Sequence, residues 1–261
     1  MNRKSFDAER NTQNLSEFKK FIPGQSVDCV IISYESHQLY VLLLKWKGNT
    51  FWSLPGGFIY KEEDIDDAAS RVLKQRTGLE FPYLTQFYTF GKNNRTKNFD
   101  TSVFRKSVKQ DSPEVAEWLS QRFITTGYIA LVNKSNTRPL PDALSERCEW
   151  VPLDKLPKML FDHPIIIEKA MESLLIQINY LPVGIKLLPA SFTMKDLQKL
   201  YESILKKELD RSNFQRKILK LGILERLEKI KNGGAHKAPY LYRFNKLKYE
   251  ELLKSGIGFT Y

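Results

Sequence analysis

The chain is predicted to be α+β and to fold as two parts in series, and three observations carry that prediction. β-rich runs broken by one amphipathic helix succeed one another between Val27 and Val151. A different set, consisting of helix, short break, basic helix and two strands around a glycine-rich loop, follows between Phe192 and Phe244. The charge divides at the same place: Gly184–Tyr261 holds 17 Lys+Arg against 8 Asp+Glu, whereas the residues before it hold 24 against 22.

A length of 261 residues suits one or two domains, at about 100–200 residues each. With 42% apolar, 27% charged and 12% aromatic residues, the composition excludes a largely disordered or collagen-like chain. Two cysteines, Cys29 and Cys148, cannot build a disulfide framework, so a reducing cytoplasm is expected. The N-terminal stretch Met1–Lys20 has no apolar signal core. The longest apolar runs, Tyr40–Leu44 and Pro164–Ile167, are too short to cross a bilayer, so no membrane partner is expected.

Residues 1–22 form a polar lead, with a short helix over Asn14–Phe21. Val27–Ser33 and Gln38–Lys45 flank the turn Tyr34-Glu35-Ser36-His37 as a hairpin. Trp52–Leu54 is a short strand broken by Pro55-Gly56-Gly57. Ile65, Ala68, Ala69, Val72 and Leu73 recur at helical spacing within Asp64–Thr77, its acidic first turn complements the helix dipole, and Gly78 ends it. Tyr83–Phe90, Gly127–Val132 and Glu149–Val151 are strands. Residues 97–122 read as an insertion containing a helix that starts at Ser112-Pro113-Glu114. Asp162 caps an amphipathic helix to about Asn179. Leu181-Pro182-Val183-Gly184 is the hinge, which divides the chain into a lead at 1–22, a first domain at 23–181 and a basic domain at 182–261.

The basic domain opens on Phe192–Tyr201, with Thr193 as N-cap and Asp196 in the capping-box position. Asp210 caps a second helix over Arg211–Leu221. Phe214, Ile218 and Leu221 share one face of it, and Asn213, Arg216, Lys217 and Lys220 share the other. A polar, cationic helix face of this kind suits the DNA major groove. Strands at Ile223–Ile230 and Tyr240–Phe244 flank the basic loop 231–237 as a wing. Helix, break, basic helix and basic wing in this order predict a winged helix-turn-helix that binds double-stranded DNA.

The first domain resembles the Nudix domain. The resemblance lies in Leu54-Pro55-Gly56-Gly57 and in the spacing Gly57, five residues, Glu63, seven residues, Arg71, with Gly78 on the closing glycine. It extends to Thr89-Phe90-Gly91, Tyr128–Val132 and Trp150-Val151-Pro152-Leu153. The likeness implies a Nudix-fold α/β/α sandwich with a mixed sheet. Pyrophosphate hydrolysis in that family depends on divalent ions, usually magnesium, held by box glutamates, and here those positions are Val72, Gln75 and Arg76. A cation at a ligand position repels a metal by about 4 kcal/mol per unit-charge pair at 4 Å and an effective dielectric near 20. No metal, no cofactor and no catalytic residue is therefore expected. Glu62, Glu63, Asp64, Asp66 and Asp67 are read as complement to the helix dipole. Trp52, Phe58 and Phe90 are candidates to stack on a ligand ring, and Glu63 and Arg71 to hydrogen-bond a sugar or phosphate. His163 is read as a structural hydrogen-bonding residue.

Across both domains the chain is similar to the Nudix-related transcriptional regulators of the NrtR family. The similarity runs through Asp162-His163-Pro164, Leu187-Leu188-Pro189, Leu209–Leu219 and Ala238–Phe244. It implies a homodimeric repressor on an inverted-repeat operator, with ADP-ribose or a pentose such as arabinose as effector. Arg211, Asn213 and Arg216 are then candidates for base-edge contact, and Lys217, Lys220, Lys231 and Lys237 for phosphate contact. The family's Arg-Pro wing signature is replaced by His236-Lys237-Ala238-Pro239. Two competing readings are a Nudix pyrophosphohydrolase acting on ADP-ribose or a related nucleotide sugar, and an RNA-associated binding module.

Overall fold

A computed structural model describes residues 19–80, 83–96, 117–118, 121–178, 183–229 and 238–255. The chain separates into two compact units. One comprises the residues up to Ile32 together with Tyr40–Ala170, and the other comprises Ser33–Leu39 together with the residues from Met171.

The first unit is built on one mixed sheet. Its strands are β1 (Phe21–Glu35), β2 (Gln38–Trp46), β3 (Trp52–Ser53), β4 (Gly56–Tyr60), β5 (Tyr83–Phe90), β6 (Ile124–Leu131) and β7 (Ser145–Pro152). They run in the order β3-β2-β1-β6-β5, with β4 added to β1 and β7 to β2. The β1–β6 pair is parallel, which makes the sheet mixed, while β4, β5 and β7 pair antiparallel with their neighbours. The β1–β2 turn places Ser36 and His37 at φ 50° and 64°. Left-handed geometry at both central residues matches the twist of the flanking strands.

Alternation along β1 decides the core. Val27, Cys29 and Ile31 join Leu42, Tyr128 and Ala130 against Ala68, Ala69, Val72 and Leu73 of α1 (Ile65–Thr77). Val30 and Ile32, on the other side of the strand, are equally buried, so both sheet faces are covered. Helix α1 ends where Gly78 turns left-handed at φ 72° and returns its N–H to Lys74 O. Helix α2 (His163–Gln177) buries Ile166, Ile167, Ala170 and Leu174.

Phe21 does not end a helix; it opens β1, pairs with Tyr60 and stacks on its ring at 4.7 Å, while residues 14–18 lie outside the described residues. Pro55-Gly56-Gly57 ends the short strand, which stops at Ser53, and Gly56 and Gly57 then start a new strand, β4, opposite Asp28 and Val27. Asp162 directly precedes α2, its backbone O accepting from Ile166 N at 3.0 Å, and its carboxylate holds Arg95 at 2.8 and 2.9 Å. The helix read from Ser112 falls outside the described residues apart from the turn at Glu117–Trp118.

The second unit contains α3 (Gly184–Leu187), β8 (Phe192–Thr193), α4 (Met194–Leu205), α5 (Arg211–Lys220), β9 (Leu224–Lys229), β10 (Tyr240–Phe244) and α6 (Lys246–Ser255). A three-stranded sheet runs β8-β10-β9. Thr193 and Asp196 complete a reciprocal capping box at the start of α4, and Asp210 accepts from Asn213 N at 2.8 Å at the start of α5. Tyr201 of α4 packs edge-on against Phe214 of α5, 5.3 Å between ring centres. The connection 231–237 lies outside the described residues. Among the described residues, no helix is long and apolar enough to cross a membrane.

Candidate functional site

The first unit encloses a cavity of about 920 Å³, a size suited to a small organic ligand. Helix α1 supplies one wall, with Arg71, Val72, Gln75 and Arg76 all lining it. They fall on one face because they sit at helical spacing. Gly56 and Gly57 bring the backbone of β4 against this region. A Cβ at Gly57 would lie 2.7 Å from Val72 Cγ2, and one at Gly56 would lie 2.6 Å from Asp28 Oδ1. Close approach, rather than an unusual φ, is what requires glycine at both positions.

A second wall is aromatic. Phe21, Phe58 and Phe123 line the cavity, and Trp118 packs edge-on against Phe58 at 4.3 Å and against Phe123 at 4.9 Å. Trp118 belongs to the stretch read as an insertion, and Arg95, Thr96 and Gln121 beside its two ends also line the cavity.

The polar groups are arranged in pairs. Arg71 holds Glu63 through two hydrogen bonds of 2.7 and 2.8 Å and donates a third to Phe58 O at 2.8 Å. Arg95 is gripped by Asp162 and donates to Phe123 O at 2.8 Å, with Asp28 Oδ2 at 3.9 Å. His163 accepts from Leu54 N at Nδ1, 2.9 Å away, so its proton sits on Nε2, which lies 3.8 Å from Asp28 Oδ1. Burial pushes the His163 pKa below its ordinary value, against the pull of Asp28. Arg76 differs from Arg71 and Arg95. It is buried, its Nη1 donates to Leu140 O at 3.3 Å, and its Nε has no hydrogen-bond partner among the described residues.

Of the five residues nominated for ligand contact, Phe58 and Arg71 line this cavity. Glu63 instead lies behind Arg71 as its counter-ion. Trp52 stands outside the lining, with the Arg147 guanidinium 5.5 Å over its ring, while the next two residues, Ser53 and Leu54, face the cavity. Phe90 is buried beside Phe87 and Tyr88 and packs over Gly127. The sequence reading missed Asp28, Arg95, Phe123 and Asp142 and gave His163 only a structural part. These residues come from separate segments, and no local pattern announces their convergence. The substitution at Arg76 was the one available signal.

On the second unit, α5 exposes Arg211, Asn213, Arg216 and Lys220, with Lys217 half-buried. Arg216 Nη2 donates to Asn213 Oδ1 at 2.8 Å. Arg211 and Gln215 border a groove of about 570 Å³ that also touches Lys195, Lys199 and Lys229. Arg226 and Lys229 of β9 lie over the Tyr240 ring at 4.6 and 5.0 Å. Lys195, Lys199 and Lys229 thus add cations beside the helix that the sequence singles out. Lys231 and Lys237 lie outside the described residues.

A Nudix fold with a lined cavity, followed in the same chain by a winged helix with a cationic second helix, defines a DNA-binding transcription regulator of two domains. Residues 23–172 match the NUDIX domain, and residues 184–244 match the NrtR DNA-binding winged helix domain. The chain is 30% identical over 236 residues to the "ADPR responsive transcriptional repressor NtrR" of Acinetobacter baylyi, covering 87% of this chain and 84% of that protein. It superposes on the crystal structure of Shewanella oneidensis NrtR complexed with a 27mer DNA at TM-score 0.66 and 26% identity, covering 87% of this chain and 95% of that one. A MutT/nudix family protein from Enterococcus faecalis shares the fold at TM-score 0.62 and 20% identity, over 94% of this chain and 99% of that one. The chain belongs to the NrtR family.

Proposed function

We propose that the chain is a transcriptional repressor whose Nudix unit senses ADP-ribose without hydrolysing it. Its winged helix reads an inverted-repeat operator, as a homodimer in the cytoplasm. The carrying observation is the α1 wall of the cavity, which presents Val72, Gln75 and Arg76 at the box positions where the Nudix likeness implies metal-binding glutamates. Magnesium requires hard oxygen ligands in near-octahedral array. Gln75 offers one neutral oxygen, Val72 none, and Arg76 a positive charge. The nearby carboxylates are committed: Glu63 to Arg71, Asp66 to the Tyr128 hydroxyl and Asp162 to Arg95. Among the described residues, no group of three or more His, Cys, Asp or Glu could hold a metal. These residues do not fit the ion.

The Acinetobacter relative is named for its response to ADPR, and the cavity chemistry supports the same effector here. Aromatic walls suit an adenine ring, and arginines suit phosphate. A free pentose offers neither. The effector changes DNA affinity only through its differential binding to the two states of the protein. In a dimer the paired recognition helices lie about 34–36 Å apart, one turn of DNA, so the half-sites form an inverted repeat.

The test combines turnover with DNA release. ADP-ribose incubated with the protein and magnesium should yield no AMP, while the same ligand should raise the melting temperature and release operator DNA in a gel shift. AMP formation that scales with protein would overturn the non-catalytic reading. Preference for duplex RNA over duplex DNA would overturn the operator reading.

A further inference from the structure

We propose that Arg76 is the anion anchor of the cavity, pairing directly with a phosphate oxygen of the ligand where a metal-dependent Nudix protein would use an ion. The proposal rests on the effector reading above and narrows it to phosphate-bearing ligands bound without metal.

Among the described residues, three guanidinium groups line the cavity. Arg71 is neutralised by Glu63 and Arg95 by Asp162, each through two hydrogen bonds. Arg76 has no carboxylate within 4.0 Å among the described residues. Only 8% of its surface is exposed. Of five N–H donors, one is used among the described residues, at the long distance of 3.3 Å to Leu140 O, and its Nε is buried with no acceptor among them. Buried donors are nearly always satisfied, and arginine cannot relieve the strain by losing its proton. The C-terminal turn of α1 contributes some negative potential, which compensates only part of a unit charge.

The position is held firmly. Leu140 N donates to Arg76 O at 3.1 Å and Arg138 N to Thr77 O at 2.8 Å, which fastens the chain at 138–140 to the end of α1. Asp142, farther along that strand of chain, accepts from Leu144 N and Ser145 Oγ. A preorganised, uncompensated guanidinium on a cavity wall is a phosphate receptor, because its planar fork matches two phosphate oxygens at once.

Isothermal titration of the full-length protein tests this with three probes: ADP-ribose, inorganic pyrophosphate and ribose, each in EDTA and in magnesium. ADP-ribose and pyrophosphate should bind in EDTA as well as in magnesium, and ribose should not bind. Arg76→Gln should abolish pyrophosphate binding and weaken ADP-ribose at least tenfold, whereas Arg76→Lys should retain metal-independent binding of both at reduced affinity. Unchanged ADP-ribose affinity in Arg76→Gln overturns the anchor and leaves the effector reading standing. Arg76-dependent pyrophosphate binding without ADP-ribose binding supports the anchor and removes ADP-ribose as effector. Binding by the wild-type protein that needs magnesium overturns the anchor without recourse to any variant.

Discussion

Arg71 and Glu63 face each other in a two-point ion pair, with Nε 2.7 Å from Oε1 and Nη2 2.8 Å from Oε2. The same guanidinium reaches Phe58 O and lies 4.6 Å from the Tyr60 ring centre, so one side chain fastens β4 and the following loop to α1. Hydrogen bonds to charged groups contribute about 1.5–3 kcal/mol each when one partner is lost. Arg71→Ala should therefore destabilise the first unit by that order, and Glu63→Gln by less, since it keeps the shape and one acceptor. Chemical denaturation of both single variants and the double variant measures the coupling. Strict additivity would show that the pair makes no joint contribution.

Gly56 and Gly57 provide a second check on the same strand. An alanine Cβ at Gly56 meets Asp28 Oδ1 at 2.6 Å and the Val27 carbonyl at 3.0 Å, and the carbonyl is fixed by the sheet. One at Gly57 meets only the Val72 methyl, at 2.7 Å. Overpacking of this kind costs about 1–3 kcal/mol. Gly56→Ala should be the worse of the two, because the backbone cannot step aside and Asp28 already faces Arg95 and His163. Equal urea midpoints for Gly56→Ala and the wild type would contradict the close approach.

These two relationships mark where local sequence runs out. The helix read over Asp64–Thr77 forms as Ile65–Thr77, and the caps at Thr193 and Asp210 form as read, because periodicity and capping act within a few residues. The glycine pair reads locally only as the end of the strand over Trp52–Leu54. Its role in β4 depends on Asp28 and Val72, which are distant in sequence. Phe90 was nominated for its aromatic ring, yet Phe87 and Gly127 draw it into the core. Val72, Gln75 and Arg76 are legible as one set through the Nudix likeness, and the helix then places all three along the cavity. Their convergence with Phe123, Arg95 and His163 is a property of the folded sheet.

Acid should unsettle the two units through different groups. Desolvation lowers the His163 pKa, so the folded first unit favours neutral imidazole. Its stability is complete above the ordinary value of 6.5 and falls as pH drops below it, where the unfolded chain takes up a proton that the fold resists. In the second unit, hydrogen bonds from Lys199 and from the backbone of Leu209 lower the Glu202 pKa from 4.5 to about 2. That contribution is complete above 4.5 and is lost toward 2. His163→Asn, which keeps an acceptor for Leu54 N, should flatten the pH dependence just below 6.5, and Glu202→Gln should flatten it between 4.5 and 2. Melting temperatures recorded across the pH range decide this, and unchanged slopes in both variants would reject the assignment.

Helix α5 yields the sharpest contrast between residue types. Arg216 and Asn213 hydrogen-bond one another at 2.8 Å on the exposed face of α5, so each limits the other's rotamers before DNA arrives. Arginine pairs with guanine and asparagine with adenine through two hydrogen bonds, each pair discriminating by about 1–3 kcal/mol. Arg216→Ala should relax base preference at one position of each half-site, and Asn213→Ala should also affect reading by Arg216, because its held orientation is lost. The two changes should therefore be non-additive when both are measured on a panel of mutated operators. Lys220, exposed at the end of α5, is suited to a phosphate. Lys220→Ala should weaken all sequences alike and reduce the slope of log K against log salt by about 0.9 per half-site contact. If Arg216→Ala shifted the salt slope while leaving base preference intact, α5 would be lying along the DNA backbone instead of entering the groove.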